Sequence, residues 1–551
     1  MYRDAAAAAP NDPAINTAWG DLFLEKYNKR EAVKSYQQVL EADPTYAPAV
    51  IGMAQAIADD NPPQAIELAR HALEINPSSV DAHVFLARQA VDASHHDEAR
   101  KALDRALAVN PSSLEAHAVL AAIAYVEDKQ PDFEAEVGKT LAIAPNYGDV
   151  YRIAGEVAAH NSRFDEAVVL TRKALTVHPN DPHALADLGM HLLRTGDEPA
   201  ARAAIEQSLD LDPFDDIVRK NLLSMMDRLD KFTTLRDGDI ILRMDSEEAP
   251  VLQEYALALA HQALTTLAAR YEFTPRGPIL IEIFSKHDDF AVRNVGLPGM
   301  IGALGACFGR VVTMDSPRVP TPTKFHWEAT LWHELAHVIT IQMSNQRVPR
   351  WLTEGISVFE EKRARSEWAR QMDMEFAEIL DHGQALKLRD LNAAFTDPKK
   401  ISLAYYQASL LVEHLVTTFG DAGLRKLVRS FADGIDTEAA LKTTLNTNFD
   451  QLQAGFDQSL DRVFGPMRRA LASDSGIPGT TGVNDQALAS MPLDKLRPYA
   501  ADHPRSYRAQ MALGRALATA GRPGDIDEAM QAFERAAGLI PSAHGKESPH
   551  A

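Results

Sequence analysis

The sequence predicts a multidomain protein: an all-α solenoid of helical hairpins, then an α+β domain, then one further hairpin. A regular proline spacing predicts the solenoid. Mixed strand and helix patterns after about residue 225 predict the second domain. We divide the chain into an N-terminal tail (1–13), a repeat array (14–225), the α+β domain (226–465), a linker (466–497), a C-terminal repeat (498–541) and a tail (542–551).

A 34-residue period organises the N-terminal array. Prolines recur at spacings of 33, 34, 34, 34 and 34 residues, at Pro44, Pro77, Pro111, Pro145, Pro179 and Pro213. Twelve residues before each proline lies a small residue or, once, Phe133; the small ones are Ala32, Ala65, Ala99, Ala167 and Ala201. In three of the repeats, a glycine occupies the position in the first helix where a small residue is needed: Gly20, Gly155 and Gly189. This is the tetratricopeptide pattern. It predicts six hairpins, whose concave face we expect to bind a protein partner.

The same residue types return near the C-terminus, at Gly514, Ala529, Phe533, Ala536 and Pro541. A single tetratricopeptide unit cannot bury its apolar face alone. The unit must therefore dock on the α+β domain, on the N-terminal array or on a partner chain.

The α+β domain begins with alternating residues around Asp237 and Gly238, which predict a hairpin. A long amphipathic helix over 251–273 and a buried strand over 278–284 follow. Next comes a glycine-rich stretch that ends in a predicted edge strand, Val311 to Met314, with Gly302 to Cys307 along that edge. A glycine-rich loop without a ligand is the alternative for this stretch.

Three polar residues interrupt an apolar helical run in the order H-E-x-x-H: His333, Glu334 and His337. Histidines four apart lie on one helix face, so both can bind one metal ion. Glu354 follows in a second helix-like run, W-L-T-E-G-I-S. Two histidines and a glutamate form a known catalytic zinc ligand set that leaves one position open. A buried helix that binds no metal is the alternative.

The paired motifs HELAH and WLTEGIS resemble those of the gluzincin metallopeptidases, the thermolysin-like or peptidase MA-like group, over roughly residues 232–464. The resemblance implies a zincin-like fold with Glu354 as the third Zn²⁺ ligand. It also implies that extended peptide binds along an edge strand before the zinc helix. In the family, a tyrosine that opens a later helix points at the zinc. Tyr406 is the better match and Tyr405 the alternate, and an aromatic packing role is equally compatible.

We expect Glu334 to act as general base in peptide-bond hydrolysis and Tyr406 to donate a hydrogen bond to the oxyanion. Related aminopeptidases carry a glutamate in the glycine-rich strand, whereas residues 299–312 contain no carboxylate. This favours an endopeptidase, although Glu328 could take the role of that glutamate and hold the free amine of a substrate.

Ser357, one turn beyond Glu354, is either a hydrogen-bond partner of a ligand or a plain surface serine. The rival function is a non-catalytic scaffold with an inert or structural zincin domain.

Composition excludes several other classes of protein. The net charge of −21 argues against a nucleic-acid partner, since phosphate binding needs clustered Lys and Arg. Cys307 is the single cysteine, which excludes internal disulfides and Cys-based zinc sites, and we expect it to be structural. No apolar run predicts a membrane span, and no secretory signal is evident. A trimmed mature form would look the same, so the cytoplasm, periplasm and exterior stay open.

Overall fold

The computed structural model describes residues 5, 9, 11–26, 28–214, 217–300, 302–320, 326–370, 372–475 and 485–539. They form two compact units, Met1–Trp368 with Phe419–Leu445, and Ala369–Thr418 with Asn446–Ala551. The predicted fold class is confirmed, because helical repeats precede and follow a small mixed sheet along the chain. Pro541, the C-terminal tail, much of the N-terminal tail and residues 476–484 of the predicted linker lie outside the described residues.

Six helical hairpins form the N-terminal array, as the period predicts. Each second helix ends two residues before its repeat proline, because proline disfavours the α conformation in the residue before it. The helices are α1 (Pro13–Glu25), α2 (Lys29–Ala42), α3 (Ala47–Ile57), α4 (Pro62–Ile75), α5 (Val80–Asp92), α6 (His96–Val109), α7 (Leu114–Val126), α8 (Gln130–Ile143), α9 (Asp149–His160), α10 (Phe164–Val177), α11 (Pro182–Thr195) and α12 (Glu198–Leu211), followed by α13 (Ile217–Leu229).

The sheet has five strands in the order β1-β2-β3-β5-β4. They are β1 (Thr233–Asp237), β2 (Ile240–Met244), β3 (Ile279–Phe284), β4 (Gly305–Cys307) and β5 (Val311–Asp315). The predicted hairpin and buried strand are confirmed: β1 pairs antiparallel with β2, and β3 runs parallel to both β2 and β5. The prediction of an edge strand at Val311 to Met314 is wrong. That strand is internal, because the glycine-containing segment Gly305–Cys307 pairs antiparallel with it and forms the edge itself.

Three helices of the first unit pack on the sheet, α14 (Ala249–Tyr271), α15 (His287–Val295) and α16 (Trp327–Met343), and a fourth, α17 (Arg350–Ala364), packs on α16. Helix α16 packs on α14, on α17 and on the two strands β4 and β5. Its residues from Leu331 to Ile341 are all buried. Polar side chains in the middle of α16 are therefore held in the protein interior.

The repeat array contacts the sheet region directly within this unit. Arg243 on β2 pairs with Glu198 at 2.6 Å, and Arg293 donates to the carbonyl of Leu193 at 3.0 Å. The ring of Phe308, in the β4–β5 turn, packs edge-on against Phe164 with centroids 5.1 Å apart. The array and the sheet thus share one packed body.

The second unit is helical. It contains α18 (Asp373–Asp381), α19 (Leu391–Ala394), the part of α20 (Ile401–Ser430) before its break at Gly420, α22 (Phe449–Ser475), α23 (Asp485–Ala489), α24 (Leu493–Asp502), α25 (Tyr507–Ala520) and α26 (Asp525–Leu539). Helix α21 (Thr437–Leu445) belongs to the first unit. Arg508 donates to Glu378 at 2.9 Å, so the C-terminal repeat docks on α18, within the segment predicted as the α+β domain. Among the described residues, no helix combines the length and apolarity needed to cross a bilayer.

Close packing between the helices of one hairpin gives a test of the array. A Cβ at Gly189 would lie 2.3 Å from Cγ1 of Ile205 and 3.2 Å from the carbonyl oxygen of Ala201. We expect Gly189→Val to lower the free energy of unfolding by about 1–3 kcal/mol through overpacking. Gly138→Ala is the control, because this helical glycine is exposed with open space around it, and we expect a gain of up to about 1 kcal/mol. Urea unfolding followed by circular dichroism measures both; a neutral Gly189→Val would contradict the packing.

Candidate metal site

The two sequence motifs meet at the contact between α16 and α17. His333, Glu334 and His337 lie in the middle of α16, and Glu354 lies in the second turn of α17. Their exposed fractions are 8%, 5%, 7% and 8%. A six-residue loop, 344–349, joins the two helices. The chain reversal brings the carboxylate of Glu354 onto the two imidazoles.

Three potential ligand atoms form a nearly equilateral triangle. Nε2 of His333 and Nε2 of His337 are 3.1 Å apart, and Oε2 of Glu354 lies 3.3 Å from the first and 3.2 Å from the second. A tetrahedral ion with bonds of about 2.0–2.1 Å would separate neighbouring ligand atoms by roughly 3.3 Å. Among the described residues this is the group of three that could hold a metal ion. The donor set and its spacing therefore fit one divalent cation.

Further side chains orient the two imidazoles. Nδ1 of His333 lies 2.6 Å from Oε1 of Glu361, and Nδ1 of His337 lies 2.7 Å from Oγ1 of Thr353. Thr340 lies 2.6 Å from the same Thr353 hydroxyl. A carboxylate or hydroxyl on the outer ring nitrogen fixes the tautomer that leaves Nε2 free for a metal.

The protonation of the cluster reflects an excess of carboxylates. Burial opposes a charged His333, but Glu354 and Glu361 outweigh it and raise the pKa of His333 to about 10. Burial alone would raise the pKa of Glu354, yet the two histidines hold it well below its usual range. Burial raises the pKa of Glu334, and both histidines oppose that rise. Protons thus compensate negative charge that a cation would otherwise compensate.

The edge strand β4 runs directly against Glu334. A Cβ at Gly305 would lie 2.5 Å from Oε1 of Glu334, so a glycine is needed for this approach. Cys307 ends the same strand, and its sulfur accepts a hydrogen bond from the amide of Gly309 at 3.4 Å. Burial and then the nearby Glu334 raise the pKa of the Cys307 thiol, which keeps it protonated. That agrees with the structural role expected of the cysteine.

The other predicted residue, Tyr406, lies in the second unit. Its hydroxyl donates to Asp373, and its ring packs edge-on against Phe376 with centroids 5.3 Å apart. The alternate, Tyr405, packs against Phe395 at 5.0 Å. Burial, then Asp373, raises the pKa of Tyr406, so its phenol stays protonated.

Sequence reasoning missed the partners of the imidazoles. Ser357 is fully buried, and its Oγ has no hydrogen-bond partner in the described part of the chain, so neither role proposed for it applies. Glu361 instead contacts His333. The available signal was its position seven residues after Glu354, which places both on one face of α17.

Comparison with known families agrees with this geometry. The profile of the Peptidase MA superfamily matches residues 259–461, and tetratricopeptide profiles match 56–123, 158–225 and 493–544. The chain contains a Peptidase MA superfamily domain flanked by tetratricopeptide repeats. No curated protein sequence matches it.

Solved structures resemble the chain only in part. The Cut9–Hcn1 hetero-tetramer of APC/C is 18% identical, with TM-score 0.29 over 41% of this chain and 44% of that one. The type IV pilus biogenesis factor PilW is 18% identical, with TM-score 0.27 over 37% and 95%. A tetratricopeptide repeat protein from Parabacteroides merdae is 17% identical, with TM-score 0.30 over 40% and 88%. The assignment therefore depends on the family profiles.

The contact between Glu361 and His333 gives a test of the metal site in the Peptidase MA domain. We expect Glu361→Gln to weaken divalent-metal binding by roughly 10- to 100-fold, because the imidazole loses the carboxylate that orients it. Ser357→Ala is the control on the same buried helix, and its metal affinity should stay unchanged. Competition with a chelator measures both dissociation constants. Equal affinity in the two variants would contradict the role of Glu361.

Proposed function

We propose that the Peptidase MA domain is a zinc-dependent endopeptidase. The observation that carries the proposal is the triangle of His333, His337 and Glu354, whose ligand atoms lie 3.1–3.3 Å apart beside the buried carboxylate of Glu334. Zn²⁺ suits two imidazoles and one carboxylate with a fourth position open. When bound, it supplies Lewis acidity that lowers the pKa of a water and polarises a carbonyl.

Glu334 is the proposed general base. Its carboxylate is buried beside the two histidines, and burial raises its pKa, which favours a group that both accepts and returns a proton. It takes a proton from the attacking water and passes it to the leaving amine. Glu334 lies beside Gly305, so on this proposal the proton transfer takes place next to the edge strand.

The edge strand β4 is the proposed substrate platform. Its outer backbone groups lie at the end of the sheet, where an extended peptide can pair by strand addition. On this proposal a peptide paired with β4 lies beside the base, because Gly305 approaches Glu334 closely. The glycine-rich stretch offers no carboxylate for a free amine, and Glu328 pairs with Arg365 at 2.9 Å, so cleavage within a chain is favoured.

The tetratricopeptide repeats supply a surface for a protein partner or for the substrate protein itself. Solenoids of this kind expose a long concave face suited to peptide segments. The proposal assigns the chemistry to the Peptidase MA domain and the selection of partners to the repeats.

Substitution of the base and of a ligand separates chemistry from metal binding. We expect Glu334→Gln to retain zinc and to lose hydrolysis of a quenched peptide by at least about 100-fold, since general-base catalysis contributes that much. His333→Ala should lose zinc, as measured by mass spectrometry of the purified protein. Full hydrolysis by Glu334→Gln would falsify the mechanism. Zinc-bound protein without hydrolysis of any peptide would favour the scaffold function.

Tyr406 is the proposed donor to the oxyanion, and its phenol would have to leave Asp373 to act there. On that proposal Tyr406→Phe lowers kcat by about 10²- to 10³-fold with KM unchanged. Asp373→Asn is the companion variant, because it weakens the competing acceptor and should leave kcat within a few-fold. A Tyr406→Phe protein with normal kcat and a lowered melting temperature would restrict Tyr406 to packing.

A further inference from the structure

The loop between the two metal-site helices rests on the repeat array. Residues 344–349 join α16 to α17, and Asn345 and Gln346 both adopt positive φ, 50° and 63°. The amide of Gln346 donates to the carbonyl of Ile341 at 2.7 Å, and the buried Ser344 hydroxyl accepts from the amide of Val348 at 3.0 Å. The loop therefore has one tight, defined conformation. Its conformation sets the position of Glu354 relative to the histidines.

Arg347 ties this loop to two repeats. Its Nη2 donates to Oδ1 of Asp128 at 2.8 Å, and its Nη1 lies 2.8 Å from Oε1 of Glu166. Nη1 also donates to the loop's own carbonyl at Asn345, at 3.0 Å. The Arg347 side chain is 15% exposed and both acceptor carboxylates are 25% exposed, so these charge-assisted bonds are only partly buried. One guanidinium thus fastens the loop to the fourth and fifth hairpins.

The acceptor of this contact is itself held rigidly. Asp128 lies in the turn of the fourth hairpin with φ of 57°, and Arg163 of the fifth hairpin donates to both of its oxygens, at 3.0 and 2.8 Å. Next to it, Gln346 donates to Asp165 at 2.8 Å and accepts from the Asp165 amide at 3.2 Å. The turns of hairpins four and five thus form a fixed platform, defined by Asp128, Arg163, Phe164, Asp165 and Glu166.

The same platform supports the edge strand. The ring of Phe308, one residue after β4, packs against Phe164. Arg310 of that turn lies 3.6 Å from Asp165. The turn that follows Gly305–Cys307 and the loop that precedes Glu354 therefore both rest on neighbouring residues of the fifth hairpin, and the loop also contacts Asp128 of the fourth. The distance between this turn and this loop determines how β4, Glu334 and the proposed metal ligands face one another.

We infer that Arg347 is a positioning residue for the metal site, and that hairpins four and five of the repeat array are a working part of that site. Arg347 does not touch the proposed ligands. It acts by fixing the loop 344–349, which determines the position of α17 and so holds Glu354 next to His333 and His337. The inference rests on the proposed function, because it assumes that the chain binds zinc at this site. It adds that zinc affinity depends on a contact between the repeats and the peptidase domain.

The test is zinc affinity of the full chain, measured by competition with a fluorescent chelator. Arg347→Met keeps the aliphatic stem and removes the charge; we expect the zinc dissociation constant to rise by roughly 3- to 10-fold, less than for a direct partner of a ligand. Arg347→Lys, which can keep one ion pair, should give a smaller rise. Glu166→Gln removes the negative charge of one acceptor and leaves the loop sequence unaltered, so it tests the ion pair if Arg347→Met folds poorly.

Glu198→Gln is the matched control. It removes another ion pair between the array and the sheet region, Glu198 with Arg243, which does not touch the loop. Its zinc affinity should equal that of the unaltered protein. An unchanged dissociation constant in folded Arg347→Met and Glu166→Gln, or an equal rise in Glu198→Gln, overturns the inference. Failure of the unaltered protein to bind zinc would instead end the proposed function.

Discussion

The site depends on a buried cluster in which carboxylates outnumber imidazoles. Glu334, Glu354 and Glu361 surround two imidazoles in the interior between α16 and α17. Buried charges are costly unless each is paired or coordinates a metal. Without a cation, a proton on His333 makes up part of the difference, which is why the pKa of His333 rises while that of Glu354 falls. A divalent cation removes the same imbalance without using protons, because it attracts all the carboxylates at once.

The surroundings of the cluster hold the two helices in place. Convergence of the three potential ligand atoms requires that α16 and α17 resist displacement relative to each other. The loop 344–349 provides this resistance through two left-handed residues, a buried serine and the ion pairs of Arg347. The repeat array supplies the acceptors for Arg347, and the compact first unit accordingly includes both the array and the candidate metal site.

The sequence allowed prediction of features that repeat or that follow from local spacing. The 34-residue period predicted the hairpins, and H-E-x-x-H with W-L-T-E-G brought together the three residues whose ligand atoms converge. It did not allow prediction of contacts between distant residues. Arg347 and Asp128 are 219 positions apart. Nothing in the sequence around an arginine of a polar loop indicates which distant residue it contacts. The edge was mispredicted because strand propensity favoured Val311 to Met314 as the edge strand, whereas pairing placed a three-residue glycine-containing strand outside it.

At Gly305 in the short edge strand β4, the stability of strand pairing is balanced against the space that Glu334 needs. A longer β-branched strand would pair more firmly with β5, but it would expose a flat edge that recruits other chains. It would also place a side chain where Glu334 now lies, since even a Cβ at Gly305 comes within 2.5 Å of that carboxylate. Glycine weakens the strand through its backbone entropy and lack of a side chain to pack. Packing of Phe308 against Phe164 compensates, because it anchors the β4–β5 turn outside the strand itself. The repeat array therefore stabilises an edge that the sheet alone holds through only three residues.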